Sequence, residues 1–328
     1  MARIGLISNI HSQQNRRGMA AIRDTAARHA NVVHAEIDRI EDLGQALGDF
    51  IRHGVDVIAL NGGDGTVQAA LTALINTTAP KRRPRLAILP GGMTNLIAHD
   101  VGLKGRRADS LARLAHALAD GRGITEATRP VLSLRRSPDE APVHGMFLGA
   151  AAFYRAVMFS RQKIHPMGLE RGAAFTSSLA LVVLRAFFGR GNDGSDDLLR
   201  GARFSIAVPE NGDVPAPQGE GEKEYLLFLA TTLARLPLGL RPFWSEGAGR
   251  CRYTYIESPP HRLRAALLPI LAGRPRPWMR RNGYVSGCTN EIVLRMNTPI
   301  VFDGQFFTPA PGHPMVLRSD HDVVFMRC

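Results

Sequence analysis

Two stretches of this sequence have residue types and spacing that could do chemistry: Asn61-Gly62-Gly63-Asp64-Gly65-Thr66 and Pro90-Gly91-Gly92-Met93-Thr94-Asn95. Glycines let the backbone take positive φ and come close to a ligand, and the amides of a turn that opens a helix point toward an anion. Phosphate is the natural guest. Thr66 and Thr94 can donate hydroxyls to phosphate oxygens, and Asn95 can hold a phosphate or a base edge. A carboxylate inside such a loop would repel bare phosphate, so Asp64 implies a bridging Mg²⁺ or a proton to be taken from a nucleophile. Ordinary strand-to-helix turns with glycine caps are the plainer alternative. Two linked turns with an embedded aspartate favour the phosphate site.

The elements around the turns follow one grammar. Residues 55–60 form a short apolar run ahead of the first turn, and Val67, Ala70, Leu71, Leu74 and Ile75 mark one face of a helix after it. Residues 86–89 are the second strand, followed by the second turn and a short helix. Upstream, 4–8 and 32–36 read as strands, with Ile40, Leu43, Leu47, Phe50 and Ile51 on one helical stripe. Downstream, Leu111, Leu114, Ala115 and Leu118 mark another helix, closed by Gly121. Strands alternating with helices predict an α/β N-terminal domain with a parallel sheet and right-handed crossovers. Turns of this kind then sit side by side at the carboxyl ends of the strands.

Near 124–130 the pattern changes to short strands at 131–135, 145–150, 204–208, 225–231 and 252–257, separated by turn-rich loops. This predicts a C-terminal antiparallel β-rich domain. The boundary is expected near residue 128, giving domains 1–128 and 129–328 with the active site between them. Further strands are expected at 291–296, 300–303, 314–317 and 323–326, free to return to the first domain. The loops 189–197 and 209–224 are rich in Gly, Pro, Asp and Glu and are expected to be mobile. The apolar stretch 172–188, interrupted by Arg185, reads as a buried core helix or a segment lining an acyl-chain pocket.

Composition narrows the function classes. At 328 residues and 45% hydrophobic content the chain can build two ordinary cores. No run approaches the roughly 20 apolar residues that span a bilayer. The strand-like opening, without signal-peptide architecture, predicts a cytoplasmic protein, at most peripheral on the inner membrane face. Cys251, Cys288 and Cys328 are too few and too widely spaced for a disulfide framework or a metal site. The net charge of +12 would draw nucleic acid, an anionic membrane or an anionic substrate. With 6% aromatics and no recognition motif, nucleic acid is not the expected partner. Hydrolase readings find no support, because the eleven histidines form no metal spacing and there is no G-x-S-x-G elbow.

The first third of the chain resembles the diacylglycerol kinase and sphingosine kinase superfamily, in its bacterial lipid kinase branch. The GGDGT loop of that family matches Gly62 to Thr66, and its second loop matches Pro90 to Asn95, with Met93 in place of a threonine. The resemblance implies an NAD kinase or phosphofructokinase-like fold, and ATP and Mg²⁺ as cofactors. Its implied acceptor is a lipid hydroxyl, as on diacylglycerol at an anionic membrane surface, which would place the chain in lipid metabolism. It also implies a nucleotide contact at Asn9, where Ile10 replaces the family's proline; Arg16 and Arg17, by their own position at the start of the next helix, could meet a triphosphate or equally face solvent. The family's late acidic turn corresponds to Asp303-Gly304-Gln305, with Gln305 in the place of the glutamate that deprotonates the acceptor. An amide cannot accept that proton. Leu96 and His99 likewise replace an Asp and an Arg, and Ser245 to Gly249 lacks the family's paired metal aspartates. The expected catalytic set is therefore Asp64, also the metal ligand, with Asp303 and Gln305. Two alternatives stand beside it: phosphorylation of a soluble substrate as by an NAD kinase, and a nucleotide- or lipid-binding protein without turnover.

Overall fold

The computed structural model describes residues 2–163, 199–209, 221–245 and 247–328. The stretch 172–188, the loop 189–197, most of the loop 209–224 and Glu246 of the 245–249 turn lie outside the described residues. Contacts divide the chain into two compact units. One is Met1–Val131 with Val143–Gly145 and His321–Cys328; the other is Leu132–Pro142 with Met146–Asp320.

The first unit is α/β. Its strands β1 (Ile4–Asn9), β2 (Val32–Ile37), β3 (Val57–Gly62) and β4 (Arg85–Pro90) pair in parallel in the order β4-β3-β1-β2. Strand β15 (Met315–Arg327) adds its last residues beside β4, also in parallel, at Phe325 opposite Leu86. Every residue of β3 is buried, as its run of Val, Ile, Ala and Leu predicts for a strand covered on both faces.

The crossovers are α1 (Asn15–Gly18) with α2 (Ala20–Arg28), α3 (Leu43–Arg52), α4 (Asp64–Thr77), α5 (Leu96–Val101) and α6 (Arg107–Asp120). Helices α2 and α6 cover one sheet face, where Ile22, Leu111 and Leu114 pack with Ile4, Leu6, Val57, Ala59 and Leu89. Helix α3 covers the other: a Cβ on Gly5 of β1 would lie 2.4 Å from the Phe50 ring. Residue 5 must therefore be glycine for that helix to seat. Gly121 ends α6 in the left-handed region at φ 64°, as its position after the apolar stripe predicts.

The second unit is antiparallel. Strands β7 (Phe147–Ala151), β8 (Ala202–Ala207), β9 (Lys223–Thr231), β12 (Glu291–Met296), β13 (Ile300–Phe302) and β14 (Gln305–Phe307) run in the order β14-β13-β7-β9-β8-β12. The first residues of β15 follow β12, with Glu291 opposite Arg318. One edge of β9 is shared by β7 and β8, and the other pairs with β10 (Cys251–Glu257), itself paired with β11 (Tyr284–Thr289). Helices α7 (Ala152–Lys163), α8 (Leu263–Leu271) and α9 (Pro277–Arg280) complete it.

Three details differ from the periodicity. The expected strand 145–150 is two, β6 (Val143–Gly145) and β7, because the Met146 amide donates to an Asp303 carboxylate oxygen instead of a ladder partner. Strand β5 runs Thr125–Arg135, its polar start invisible to a search for apolar runs. The strands expected at 314–317 and 323–326 are one continuous β15, since Arg318 to Asp322 keep the period-two alternation with Ser319 buried.

Candidate functional site

The two glycine turns follow β3 and β4, which are neighbours, so both emerge at the carboxyl ends of adjacent parallel strands. They touch through backbone. A Cβ on Gly92 would lie 2.4 Å from the Gly63 Cα, and one on Gly91 would lie 2.9 Å from the Gly62 nitrogen. The Gly91 amide donates to the Gly62 carbonyl at 2.9 Å. Side chains at these positions would separate the turns, so the glycines are required by the approach of one backbone to the other.

The order in which strands are added reverses at β1: β2 lies on one side of it and β3 on the other, all parallel. Open α/β sheets bind ligands outside the carboxyl ends at such a point. Here Asn9, the last residue of β1, donates its Nδ2 to the Thr66 Oγ1 across that crevice at 3.0 Å. The loop after β1 is also tied to the second turn, with the Gln14 amide donating to the Gly91 carbonyl at 3.0 Å. Three loops thus meet at one end of the sheet. Helix α4, fourteen residues long, starts there with Gly63 as N-cap, and no side chain caps its first amides. Those amides carry the positive end of the helix dipole.

Asp64 is anchored. One carboxylate oxygen accepts from the Leu96 amide at 3.0 Å and the other from the Ile97 amide at 2.9 Å. A residue at the start of α4 thereby caps the start of α5 and locks the two turns together. Burial pushes the Asp64 carboxyl above its usual range, while the amides of Ile97 and Leu96 pull it back. Asn95 closes its own turn. It sits at φ 50°, a left-handed conformation asparagine tolerates, with Oδ1 accepting from the Gly92 amide at 2.9 Å and Nδ2 donating to the Gly92 carbonyl at 2.8 Å. The Thr94 hydroxyl, half-buried, has no hydrogen-bond partner among the described residues.

Beneath the turns lies a polar network that the spacing of motifs does not point to. Asn61 and Ser8 are fully buried, and Asn61 Nδ2 donates to Ser8 Oγ at 3.0 Å; His34 Nε2 bonds that same Oγ at 2.9 Å. Arg107, from the first turn of α6, donates to the side-chain oxygens of Asn15 and, at 2.9 Å, of Asn61. Asn15 in turn donates to the carbonyls of Asn9 at 2.7 Å and Asn61 at 2.9 Å. Burial lowers the pKa of the Arg107 guanidinium. The one sequence signal was Asn61, a polar residue ending an apolar strand directly before the first glycine.

The late turn belongs to the second unit. Asp303 and Gly304, at φ 45° and φ 81°, make the two-residue hairpin between β13 and β14, a conformation that Asp-Gly supports. Asp303 is 2% exposed, and its two oxygens accept from the amides of Met146 at 2.8 Å and Phe147 at 2.9 Å. Gln305 begins β14 and is exposed.

A nucleotide fits the first unit: glycine backbone with no side chain on it, helix amides without a capping group, and a threonine hydroxyl without a partner. A self-contained metal cage does not fit. Among the described residues no three His, Cys, Asp or Glu side chains gather to hold an ion. Mg²⁺ that keeps its waters and binds through phosphates and one carboxylate does fit, with Asp64 as that carboxylate.

The model of the diacylglycerol kinase catalytic domain family matches residues 3–123. Among solved structures, a provisionally assigned diacylglycerol kinase from Bacillus anthracis str. Sterne is similar with a TM-score of 0.64 and 15% sequence identity, over 99% of this chain and 95% of that one. A diacylglycerol kinase from the same organism is similar with a TM-score of 0.60 and 15% identity, over 99% and 96%. At such identities the likeness establishes the fold. No curated protein matches the chain. Among the described residues no helix is long and apolar enough to cross a membrane. Residues 3–123 of this chain, which carry the turns that meet at the end of its parallel sheet, are thus similar to the diacylglycerol kinase catalytic domain.

Proposed function

We propose that this chain transfers the γ-phosphate of ATP to the hydroxyl of a lipid, diacylglycerol or a related lipid alcohol. The observation that carries the reading is the mutual approach of the two glycine turns, Gly63 against Gly92, beside the uncapped start of α4. Helix-start amides and hydroxyl donors on a rigid floor are what a polyphosphate needs.

In this reading the amides that open α4 and the hydroxyls of Thr66 and Thr94 hold the phosphates, and Asn9 orients Thr66. Asn95 shapes the second turn from within. Asp64 fixes the turns to each other through the amides of Leu96 and Ile97 and orients the acceptor hydroxyl. Bound Mg²⁺ supplies neutralisation of the phosphate charge, with Asp64 as its protein ligand. Asp303, bonded through both oxygens, holds the hairpin that presents Gln305. Phosphoryl transfer depends chiefly on positioning and charge stabilisation through a loose transition state, so an amide at position 305 slows the reaction without abolishing it.

Gln305 also favours a second reading, a nucleotide-binding protein without turnover, because it removes the acid that the resemblance places there. Both readings require ATP on the turns. Equilibrium binding of ATP with Mg²⁺ to the native chain and to Gly92→Ala tests that requirement. The added Cβ would lie 2.4 Å from the Gly63 Cα, so the backbone must part and ATP affinity falls at least tenfold. Equal affinity in a folded Gly92→Ala would remove the turns from the site.

A further inference from the structure

We propose that the loop Pro237–Gly239 together with helices α8 and α9 forms a docking surface for an anionic lipid bilayer. The inference rests on the lipid acceptor proposed above, because such an acceptor resides in a bilayer, but it stands on observations in the second unit alone.

The first observation is charge. Residues 258–290 contain six arginines and neither Asp nor Glu. Arg262, Arg264, Arg274, Arg276, Arg280 and Arg281 are all exposed. Residues 232–245 add two more arginines and again no carboxylate. A chain with 29 acidic residues has kept them out of both segments.

The second observation is apolar exposure at the same place. Leu238 is 75% exposed and Leu268 is 66% exposed, more than any other large hydrophobic among the described residues. Helix α8 buries Ala266, Leu267 and Ile270 and leaves Arg264, Ala265, Leu268 and Ala272 on its outer side, at helical spacing. The loop bearing Leu238 is fastened to the end of that helix, since the Arg241 amide donates to the Leu271 carbonyl at 2.8 Å.

The third observation is conformation. Leu238 is held at φ 57°, in the left-handed region that a branched side chain avoids, and its side chain gains almost no packing there. A strained backbone that presents an apolar side chain outward is explained by what the side chain meets outside the chain. The platform beneath is packed. Ala266, Ile270 and Met279 pack with Tyr284 of β11 and Ile256 of β10, and the Tyr284 hydroxyl donates to the His261 carbonyl at 2.7 Å.

Exposed leucines within a field of arginines match the two layers of a membrane surface. Guanidinium groups pair with lipid phosphates while short apolar side chains enter the acyl boundary. Nucleic acid would leave both leucines without a partner. Each arginine brought to an anionic surface is worth about fivefold in partition.

The test is sedimentation of the full chain with vesicles of phosphatidylcholine alone or mixed with phosphatidylglycerol. The native chain is expected to pellet with the mixed vesicles and stay in solution with phosphatidylcholine. Arg280→Glu/Arg281→Glu is expected to cut the partition at least tenfold, and Leu238→Ser/Leu268→Ser to cut what survives in high salt. Native partition in both variants overturns the proposal, as does native binding to duplex DNA that displaces the vesicles. Phosphate transfer to detergent-dispersed lipid, run on the same samples, separates the two readings. Vesicle binding without any transfer contradicts the kinase and leaves the surface standing; transfer with variant partition unchanged contradicts the surface alone.

Discussion

Asp100→Ala will lower the unfolding free energy of this protein by about 3–5 kcal/mol, the loss typical of one partner removed from a buried ion pair. The Asp100 side chain is inaccessible to solvent and accepts from Arg129 Nε at 2.8 Å and Nη2 at 3.1 Å. Arg327 approaches the same carboxylate at 3.7 Å and donates to the Asp100 carbonyl. The bond to Asp100 raises the pKa of Arg129 in the native chain; deleting the partner removes that support, and the guanidinium stays charged because arginine does not deprotonate in proteins. With Arg129 only 18% exposed, that charge is left in a poorly solvated place. Helix α5 is held at its start by Asp64 and at its end by this pair, so the second turn will lose its fixed position too. Urea denaturation checks the prediction, and a loss under 1 kcal/mol would mean that Arg129 finds solvent without cost.

Asp64→Asn will reduce phosphate transfer by about 100-fold or more, the scale of losing a proton acceptor. The substitution keeps shape but turns one acceptor into a donor facing the Leu96 or Ile97 amide. One of two charge-assisted bonds is lost and an unfavourable N–H pair is created, so stability falls as well, by about 1–3 kcal/mol. The two effects separate under saturating ATP. If the carboxylate only braces the turns, kcat recovers once ATP holds them together; if it acts on the acceptor, kcat stays low. Unchanged activity in Asp64→Asn would remove it from both roles.

Local patterns carried much of this architecture. The apolar runs at 4–8, 32–36 and 86–89 lie in strands of the parallel sheet, the run at 55–60 does so from Val57 onward, and the stripe from Val67 to Ile75 faces the core as α4. Glycine spacing located the two turns. It could not show why both need two glycines, which is that Gly63 and Gly92 press on each other across the sheet. Asp64 reads locally as a ligand for metal or proton, and only the fold brings it to the amides of Leu96 and Ile97, more than thirty residues away. The same limit hid Arg107, which in sequence is one basic residue of a basic tract and in the fold bonds two buried asparagines. Asp303 was legible as a turn residue through Asp-Gly, whereas its bonds to Met146 and Phe147 span about half the chain. The polar run inside β15 broke one strand into two on paper, because composition marks turns and only alternation marks a strand.

The most direct test of the account is transfer of labelled γ-phosphate from ATP with Mg²⁺ to a panel of diacylglycerol, monoacylglycerol, sphingoid base and NAD, with Gln305→Glu beside the native chain. The account predicts label in at least one lipid, none in NAD, and faster transfer by Gln305→Glu. Label in NAD alone, or in no acceptor while ATP still binds, would contradict it.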